Sequence, residues 1–191
     1  MTWTGRFRPA LSEAAVVPRA LQQPLPVWVG VGGSPDSAER AGRLGLPMVL
    51  GYIGGTIGHL RPLVDAYRRA GERAGHPELL KVAISTHFYA AADPAAARAV
   101  YPYYYEYLRP KRPGGRGFVV SRDAFEAGTS RDGAIMIGSA GEVTGKLLAG
   151  SGALRLDRIF AQVDWGGLPA ALVQDSIARY AGEIAPALRG T

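Results

Sequence analysis

The sequence predicts an α/β protein built on a parallel sheet, and two observations lead to this fold class. Four apolar segments have the composition of strands, and each is followed by turn residues and then by a helical pattern: Pro26–Val31, Pro47–Ile53, Lys81–Ala90 and Arg158–Asp164. Strands that alternate with helices pair in parallel through right-handed crossovers. The chain has 191 residues, of which 47% are hydrophobic, so it is long enough to bury the core of one domain.

The first two predicted helices follow the first two strands. The first begins near Ser34 and Pro35 and is short. The second covers residues 59–74, because apolar side chains recur there at offsets of three and four and form one stripe: Leu60, Leu63, Val64 and Tyr67. The spacing therefore places one face of this helix against the sheet.

The later helices are predicted from their N-terminal residues. Asp93 is a favourable N-cap, and Pro94 suits the first helical position after it. Ser139 and Glu142 have the spacing of a capping box, which predicts a further helix over 139–149. The last predicted helix covers 169–188.

Composition and charge exclude several classes of function. The chain contains no cysteine, which excludes disulfides, thiolate zinc sites and cysteine nucleophiles. The histidines, His59, His76 and His87, have no ligand-like spacing, so no metal site is predicted. The net charge of +6 is carried almost entirely by arginines on predicted helices, and we expect no nucleic-acid binding. Neither a membrane-spanning run nor a secretory leader is apparent, which predicts a cytoplasmic protein without membrane contact.

The stretch "WVGVGGSPDSAERAG", residues 28–42, predicts a strand, a tight glycine turn and a helix start. This local geometry is typical of phosphate binding, because helix N-termini present N–H groups and a favourable dipole. Gly32 and Gly33 would let the backbone approach the phosphate, and the hydroxyls of Ser34 and Ser37 would add contacts. In the alternative interpretation Ser34 only caps the helix and the glycines only form a turn. The residues alone leave both interpretations open.

Two sheet architectures fit this order of elements. An eight-stranded barrel needs about 250 residues, so four strand–helix units are too few for a whole barrel. A doubly wound sheet of four or five strands suits the length better. However, the turn reads G-x-G-G-S instead of G-x-G-x-x-G, and no acidic residue ends the second strand, as a dinucleotide-binding fold would have it.

Several separated stretches resemble the C-terminal half of the luciferase-like flavin-dependent monooxygenases. They keep their order along the chain: "PLPVWVGVGGSPDSAERAGRLGLPMVLGYIGG", "LVDAYRRAGERAGH", "IMIGSAGEVTGKLL" and "DRIFAQVDWGGLP". The resemblance implies a partial TIM-barrel-like array of about four parallel strands, corresponding to the C-terminal half of a (β/α)8 barrel. It divides the chain into an N-terminal arm over 1–26 and a half-barrel domain over 27–191, with a basic loop at about 109–133.

The resemblance also implies a function. The family uses reduced FMN and oxygen, which predicts a flavin-dependent oxidoreductase of the monooxygenase type, with coenzyme F420 as a second candidate cofactor. In the family the loop after this strand lies against the FMN phosphate, which assigns cofactor binding to Gly32, Gly33, Ser34 and Ser37. The alternatives are a non-catalytic flavin-binding or interaction subunit, and a truncated remnant.

The strands that carry the family's usual catalytic histidine have no counterpart in this sequence. No catalytic residue is therefore assigned, and His87, at the end of the third strand, is predicted to be a hydrogen-bonded structural histidine. An inner barrel face open to water predicts association with a second copy or with a complementary N-terminal half. We expect that face to carry the following large side chains, or else the residues next to them on the same strands: Trp28, Met48, Leu50, Ile84 and Phe160.

Four smaller features have a structural and a functional interpretation. Gly54 and Gly55 are interpreted mainly as a turn, and Gly166 and Gly167 as a tight strand-to-helix connection. The tyrosine-rich run over 101–107 is expected to pack against the core. The stretch 109–117 holds four positive charges, Arg109, Lys111, Arg112 and Arg116, and is either a basic lid or a solvated loop.

Overall fold

The computed structural model describes residues 1–189. In chain order the elements are β1 Val29–Val31, α1 Pro35–Arg43, β2 Met48–Gly51, α2 Ile57–Arg73, β3 Val82–Ala91, α3 Pro94–Ala99, α4 Tyr101–Leu108, α5 Arg122–Thr129, β4 Met136–Ser139, α6 Ala140–Leu154, β5 Arg158–Gln162, α7 Ala170–Arg179 and α8 Ala185–Arg189. A 3-10 turn at Pro77–Leu79 precedes β3, and a π-helical segment at Tyr180–Ile184 joins α7 to α8. Across residues 1–189, every helix is too short or too polar to span a bilayer.

The four predicted strands form one parallel sheet in chain order, β1-β2-β3-β5. Val31 lies opposite Leu50, Leu50 opposite Ile84, and Ile84 opposite Ile159. The strands are not reordered, so the doubly wound alternative is wrong and the half-barrel order is confirmed. The short strand β4 was not predicted; it runs parallel to the second half of β3, with Met136 opposite Phe88.

One face of the sheet forms the main core with the helices. Met48 and Leu50 of β2 and Ile84 of β3 are fully buried there, against apolar side chains of α1, α2 and α6. The expectation that these three residues lie on an open inner face is therefore wrong. Side chains alternate between the two faces of a strand, and a continuous apolar run does not reveal which set faces the helices.

The other face of the sheet is concave and partly exposed. The rings of Trp28, next to β1, and Phe160, of β5, meet there with centroids 6.0 Å apart. These strands are separated by β2 and β3, and in a flat sheet they would lie about 14 Å apart. The contact therefore requires the sheet to curve, as in a barrel segment. We call this surface the concave face; it carries Trp28, Gly30, Gly51, Ser85, His87, Arg158 and Phe160.

The helix ends agree with the predicted capping residues. The Asp93 carboxylate accepts a hydrogen bond from the N–H of Ala96 at 2.8 Å. Ser139 accepts one from the N–H of Glu142 at 3.3 Å, and the Glu142 carboxylate accepts from the N–H of Ser139 at 2.8 Å. Both predicted N-termini are confirmed. The predicted last helix is instead interrupted by the π-helical segment, and α5 lies inside the stretch predicted as a basic loop.

The loops that follow β2 and β5 contain the predicted glycine turns. Gly55, Gly166 and Gly167 all have positive φ angles, of 77°, 84° and 85°, which favour glycine. The N–H of Gly166 donates to the carboxylate of Asp164 at 2.8 Å and tightens the turn after β5. These loops turn the chain sharply at the carboxyl ends of the strands.

Candidate active site

The carboxyl ends of β1, β2, β3 and β5 meet at one edge of the sheet, because all four strands are parallel. Open α/β sheets and barrels bind their ligands at this edge. The predicted Gly32–Ser37 turn follows β1 there, and a cavity of about 680 Å³ lies beyond the end of β2, beside His87 of β3. The turn residues do not line this cavity, so the turn and the cavity are two separate features of this edge.

The Gly32–Ser37 turn leads directly into α1. Gly33 has a φ of 117°, in a region that favours glycine. Ser34 occupies the N-cap position in an extended conformation, yet its side chain makes no hydrogen bond to the helix. Ser34 therefore holds the N-cap position that the alternative interpretation gave it, although its side chain accepts no capping hydrogen bond. Its hydroxyl and the first N–H groups of α1 remain available to a ligand.

Four exposed glycines at this edge have no packing reason within the chain. Apart from its chain neighbours, a Cβ atom built on Gly30, Gly32, Gly51 or Gly54 would meet no atom of residues 1–189 within 4 Å, and none of the four has a positive φ angle. Glycine inside a strand, as at Gly30 and Gly51, costs stability and often marks the close approach of a ligand or another backbone. The edge therefore has room for a flat group lying directly against the backbone.

The cavity has mainly apolar walls. The loop after β2 and the segment from α4 to β4 provide them: Ile53, Gly54, Gly55, Leu108, Phe118, Val120, Ala124, Ala127, Gly133, Ala134 and Ile135. Gly54 and Gly55 thus form the predicted turn and also line the cavity. The basic side chains of 109–117 do not line it; Arg109 bonds to Glu106 at 2.7 Å, and Lys111 lies 3.9 Å from the same carboxylate.

His87 and Tyr104 form a hydrogen-bonded pair in the cavity wall. His87 Nδ1 lies 2.9 Å from the Tyr104 hydroxyl, which confirms the prediction that this histidine is hydrogen-bonded. Its ring also makes edge contacts with the rings of Tyr104 and Tyr107, at 5.5 and 5.4 Å. Burial lowers the pKa of His87, and burial together with Tyr107 raises the pKa of Tyr104 well above its ordinary value. Both side chains are therefore uncharged at neutral pH.

A buried lysine, which sequence reasoning missed, fixes the wall made by α5 and the loop that joins α5 to β4. Lys146 donates to the carbonyl oxygens of Ile135 at 2.8 Å, Thr129 at 3.2 Å and Gly128 at 3.4 Å. Gly128 and Ile135 line the cavity, so Lys146 ties together two parts of its wall. Lys146 immediately precedes Leu147 on the buried side of α6. A lysine on an apolar helix face is the sequence signal from which a buried lysine could have been predicted.

The charge of Lys146 makes the stability of the fold depend on pH. Burial, and secondarily Arg98, lowers the pKa of Lys146 from 10.5 to about 8. Between these values the unfolded chain binds more protons than the folded chain, so stability rises with pH. From about pH 7.5 to about pH 9.5 we expect the wild type to gain about 2 kcal/mol of unfolding free energy relative to Lys146→Met.

Urea unfolding of both proteins across this pH range checks the expectation. The tyrosines that begin to titrate near the upper limit are common to both proteins, so their effects cancel in the comparison. Equal pH dependence in the two proteins would contradict a shifted lysine.

Comparison with known proteins agrees with the resemblance found in the sequence. A family model described as luciferase-like monooxygenase matches residues 1–164. The chain belongs to the luciferase-like monooxygenase family. No match is found among curated proteins.

Several solved structures share the fold of this chain. A monooxygenase from Streptomyces bottropensis, RslO1, is 24% identical with a TM-score of 0.73, and the match covers 97% of this chain and 55% of that one. The oxygenating constituent of 3,6-diketocamphane monooxygenase from Pseudomonas putida, in complex with FMN, is 19% identical with a TM-score of 0.59, covering 84% and 47%. A coenzyme F420 dependent reductase from Methanopyrus kandleri is 13% identical with a TM-score of 0.60, covering 86% and 51%.

The luciferase-like chain described here thus spans about half the length of these similar structures. The predicted fold class, part of a TIM-barrel-like array, is confirmed. A flavin or coenzyme F420 is a plausible cofactor for this family member. The glycines at the carboxyl edge fit such a group, since the chain itself leaves the space beside them open.

Proposed function

We propose that this chain binds FMN at the carboxyl edge of its sheet and serves as part of a flavin-dependent monooxygenase. The observation that carries the proposal is the set of glycines at this edge that no packing among the described residues explains: Gly30, Gly32, Gly51 and Gly54. Family membership and a similar structure in complex with FMN support the choice of ligand.

The phosphate is assigned to the turn after β1. Gly32 and Gly33 let the backbone approach it, and Ser34 and Ser37 donate hydroxyl hydrogen bonds. Pro35 has no N–H, so the two hydroxyls replace part of the usual backbone contact. The positive end of the α1 dipole favours the phosphate charge.

The flavin ring is assigned to the strip of edge between this turn and the cavity. Strands lie about 4.8 Å apart, so β1 and β3 are about 10 Å from each other, a distance that a ribityl chain can span. Gly51 and Gly54 allow a ring to lie against the ends of β2, and the apolar walls keep water away from it. When bound, reduced flavin supplies the reaction with oxygen, and the protein supplies orientation and exclusion of water.

A second candidate is a non-catalytic flavin-binding subunit that acts with a partner. The apolar concave face, where Trp28 meets the 39% exposed Phe160, is partly open to solvent, and this observation favours the second candidate. Turnover assays with a flavin reductase and oxygen separate the two candidates, because only the first consumes reduced flavin with product formation. Coenzyme F420 is compared in the same binding assay, since one similar structure depends on it.

The phosphate assignment predicts that FMN binds at least about tenfold more tightly than riboflavin. The two ligands differ only in the phosphate, and one charged hydrogen bond contributes about 1.5 to 3 kcal/mol. Quenching of flavin fluorescence by the purified chain measures both affinities.

Replacing both turn serines tests the residues themselves. In the Ser34→Ala/Ser37→Ala variant we expect FMN affinity to fall toward that of riboflavin, while riboflavin affinity stays unchanged. Ser151→Ala in α6 is the matched control, because Ser151 lies away from this edge. Equal affinities of the wild type for FMN and riboflavin would remove the phosphate assignment.

A further inference from the structure

We propose that His87 selects the substrate: its Nε2–H donates a hydrogen bond to a carbonyl oxygen of an uncharged, largely apolar molecule in the cavity. Tyr104 is the positioning residue that holds His87 in the required tautomer. The inference rests on the proposed function only in calling this molecule the substrate. The donor itself is a property of the cavity in this chain.

The lining of the cavity determines the chemical class of its occupant. Few polar side chains reach it, and within residues 1–189 no arginine or lysine is among the lining residues. An anionic ligand would therefore lose its hydration without gaining a cation. Asp132, the one acidic lining residue in the described part of the chain, is solvent-exposed, so water screens its charge. A neutral molecule with a large apolar surface suits these walls.

Hydrogen-bond accounting places His87 Nε2 in the cavity. His87 is buried, and its Nδ1 is engaged by Tyr104. Nε2 has no hydrogen-bond partner among the described residues. In this part of the chain, every fully buried side-chain nitrogen or oxygen does have a partner, so Nε2 is not fully buried. Nε2 must therefore remain accessible, and the cavity that His87 lines is the space it faces.

The hydroxyl of Tyr104 decides which nitrogen of His87 carries the proton. Within the described chain, the hydroxyl has a single hydrogen-bond partner, His87 Nδ1. If Nδ1 carried the hydrogen and donated it, the buried hydroxyl proton would have no acceptor, which is costly. Tyr104 therefore donates to Nδ1. Because burial keeps the imidazole neutral, its hydrogen sits on Nε2 and points into the cavity as a donor.

Packing holds this donor in one direction. The His87 ring lies against Tyr104 and Tyr107, and the Tyr104 ring contacts Phe125 at 5.4 Å and Trp165 at 5.3 Å. A donor fixed in an apolar wall favours a ligand with a matching acceptor and disfavours one that leaves it unpaired. A carbonyl oxygen is such an acceptor and brings no hydrogen that needs a partner.

A ketone and its parent hydrocarbon test the preference directly. NMR titration of the purified chain with 1-tetralone and with tetralin measures both affinities, and neither probe requires flavin. We expect 1-tetralone to bind roughly three- to tenfold more tightly, as one net hydrogen bond gives. In His87→Leu the ratio falls to about one, whereas His87→Gln, which keeps a donor near Nε2, retains most of it.

The positioning role of Tyr104 has a separate readout. In Tyr104→Phe the hydroxyl donor is lost, so both imidazole tautomers become populated, and nitrogen-15 NMR of labelled histidine detects the mixture. We expect a single Nε2–H tautomer in the wild type and a smaller ketone preference in the variant. A wild-type imidazole protonated at Nδ1 would overturn the inference.

The same samples distinguish this inference from the proposed function. A ketone preference without FMN binding overturns the proposed cofactor and leaves the donor in place. FMN binding without a ketone preference overturns the donor alone. If saturating FMN abolishes the ketone preference, the Nε2–H serves the flavin carbonyl instead of a substrate, and the inference is wrong.

Discussion

Replacing Gly42 with alanine is expected to lower the free energy of unfolding by at least about 3 kcal/mol, more than overpacking usually costs. The new Cβ atom would lie 3.0 Å from the backbone nitrogen of Gly71 and closer still to the carbonyl oxygen of Tyr67, both in α2. Neither atom can move without shifting a helix, so α1 and α2 must separate. Urea unfolding followed by tryptophan fluorescence measures the loss.

A second glycine-to-alanine variant controls for the change in helix propensity. Gly145 lies in α6, and a Cβ atom there would meet no described residue outside its own helical turn within 4 Å. Gly145→Ala should therefore stabilise the protein by up to about 1 kcal/mol, as expected for an open helical site. If the two variants were equally stable, the close contact between α1 and α2 would be refuted.

The same helix contact affects the candidate cofactor site. The Gly32–Ser37 turn runs into α1, and the packing of Gly42 against α2 fixes where the first turn of α1 points. A Gly42→Ala protein that remained folded in part should therefore lose the preference for FMN over riboflavin. Gly145→Ala should keep it, because α6 does not carry the turn.

Local chemistry explains what the sequence could predict. Asp93 and the pair of Ser139 and Glu142 define helix starts through contacts with residues three positions away, so their spacing alone was sufficient. The four apolar segments were also recognisable locally, from their composition and from the turn residues that follow each of them. The family resemblance, carried by separated stretches, then supplied the barrel curvature that local patterns do not contain.

What the sequence could not predict depends on contacts between distant residues. Met48 and Ile84 are assigned to the helix face by pairing register, which no single strand reveals. The donor pair of His87 and Tyr104 joins β3 to α4, and Lys146 reaches carbonyl groups more than ten residues away. The cavity that these contacts form therefore could not be predicted from the sequence alone.

The isolated chain is expected to associate instead of remaining a monomer, because its apolar surface is large. Trp28 and Phe160 lie on the concave face, partly covered by the Arg158 guanidinium, and Phe7 and Leu21 in the N-terminal arm are almost fully exposed. Each large side chain left in water forgoes about 1.5 to 3 kcal/mol, against a typical domain stability of about 5 to 15 kcal/mol. Since β1 and β5 each pair with a single strand within residues 1–189, both outer edges can also accept another chain.

Sedimentation at micromolar concentration tests this expectation with two matched variants. Phe160 is 39% exposed on the concave face, and Ile177 is 45% exposed on α7. Phe160→Lys should shift the chain toward monomer because it places a charge in the buried contact, whereas Ile177→Lys should leave association unchanged. A compact wild-type monomer with one sharp thermal transition would contradict the expectation. If the chain instead pairs with an N-terminal barrel half, adding that half should convert the self-associated species into a one-to-one complex. The added half would cover the same concave face and both sheet edges.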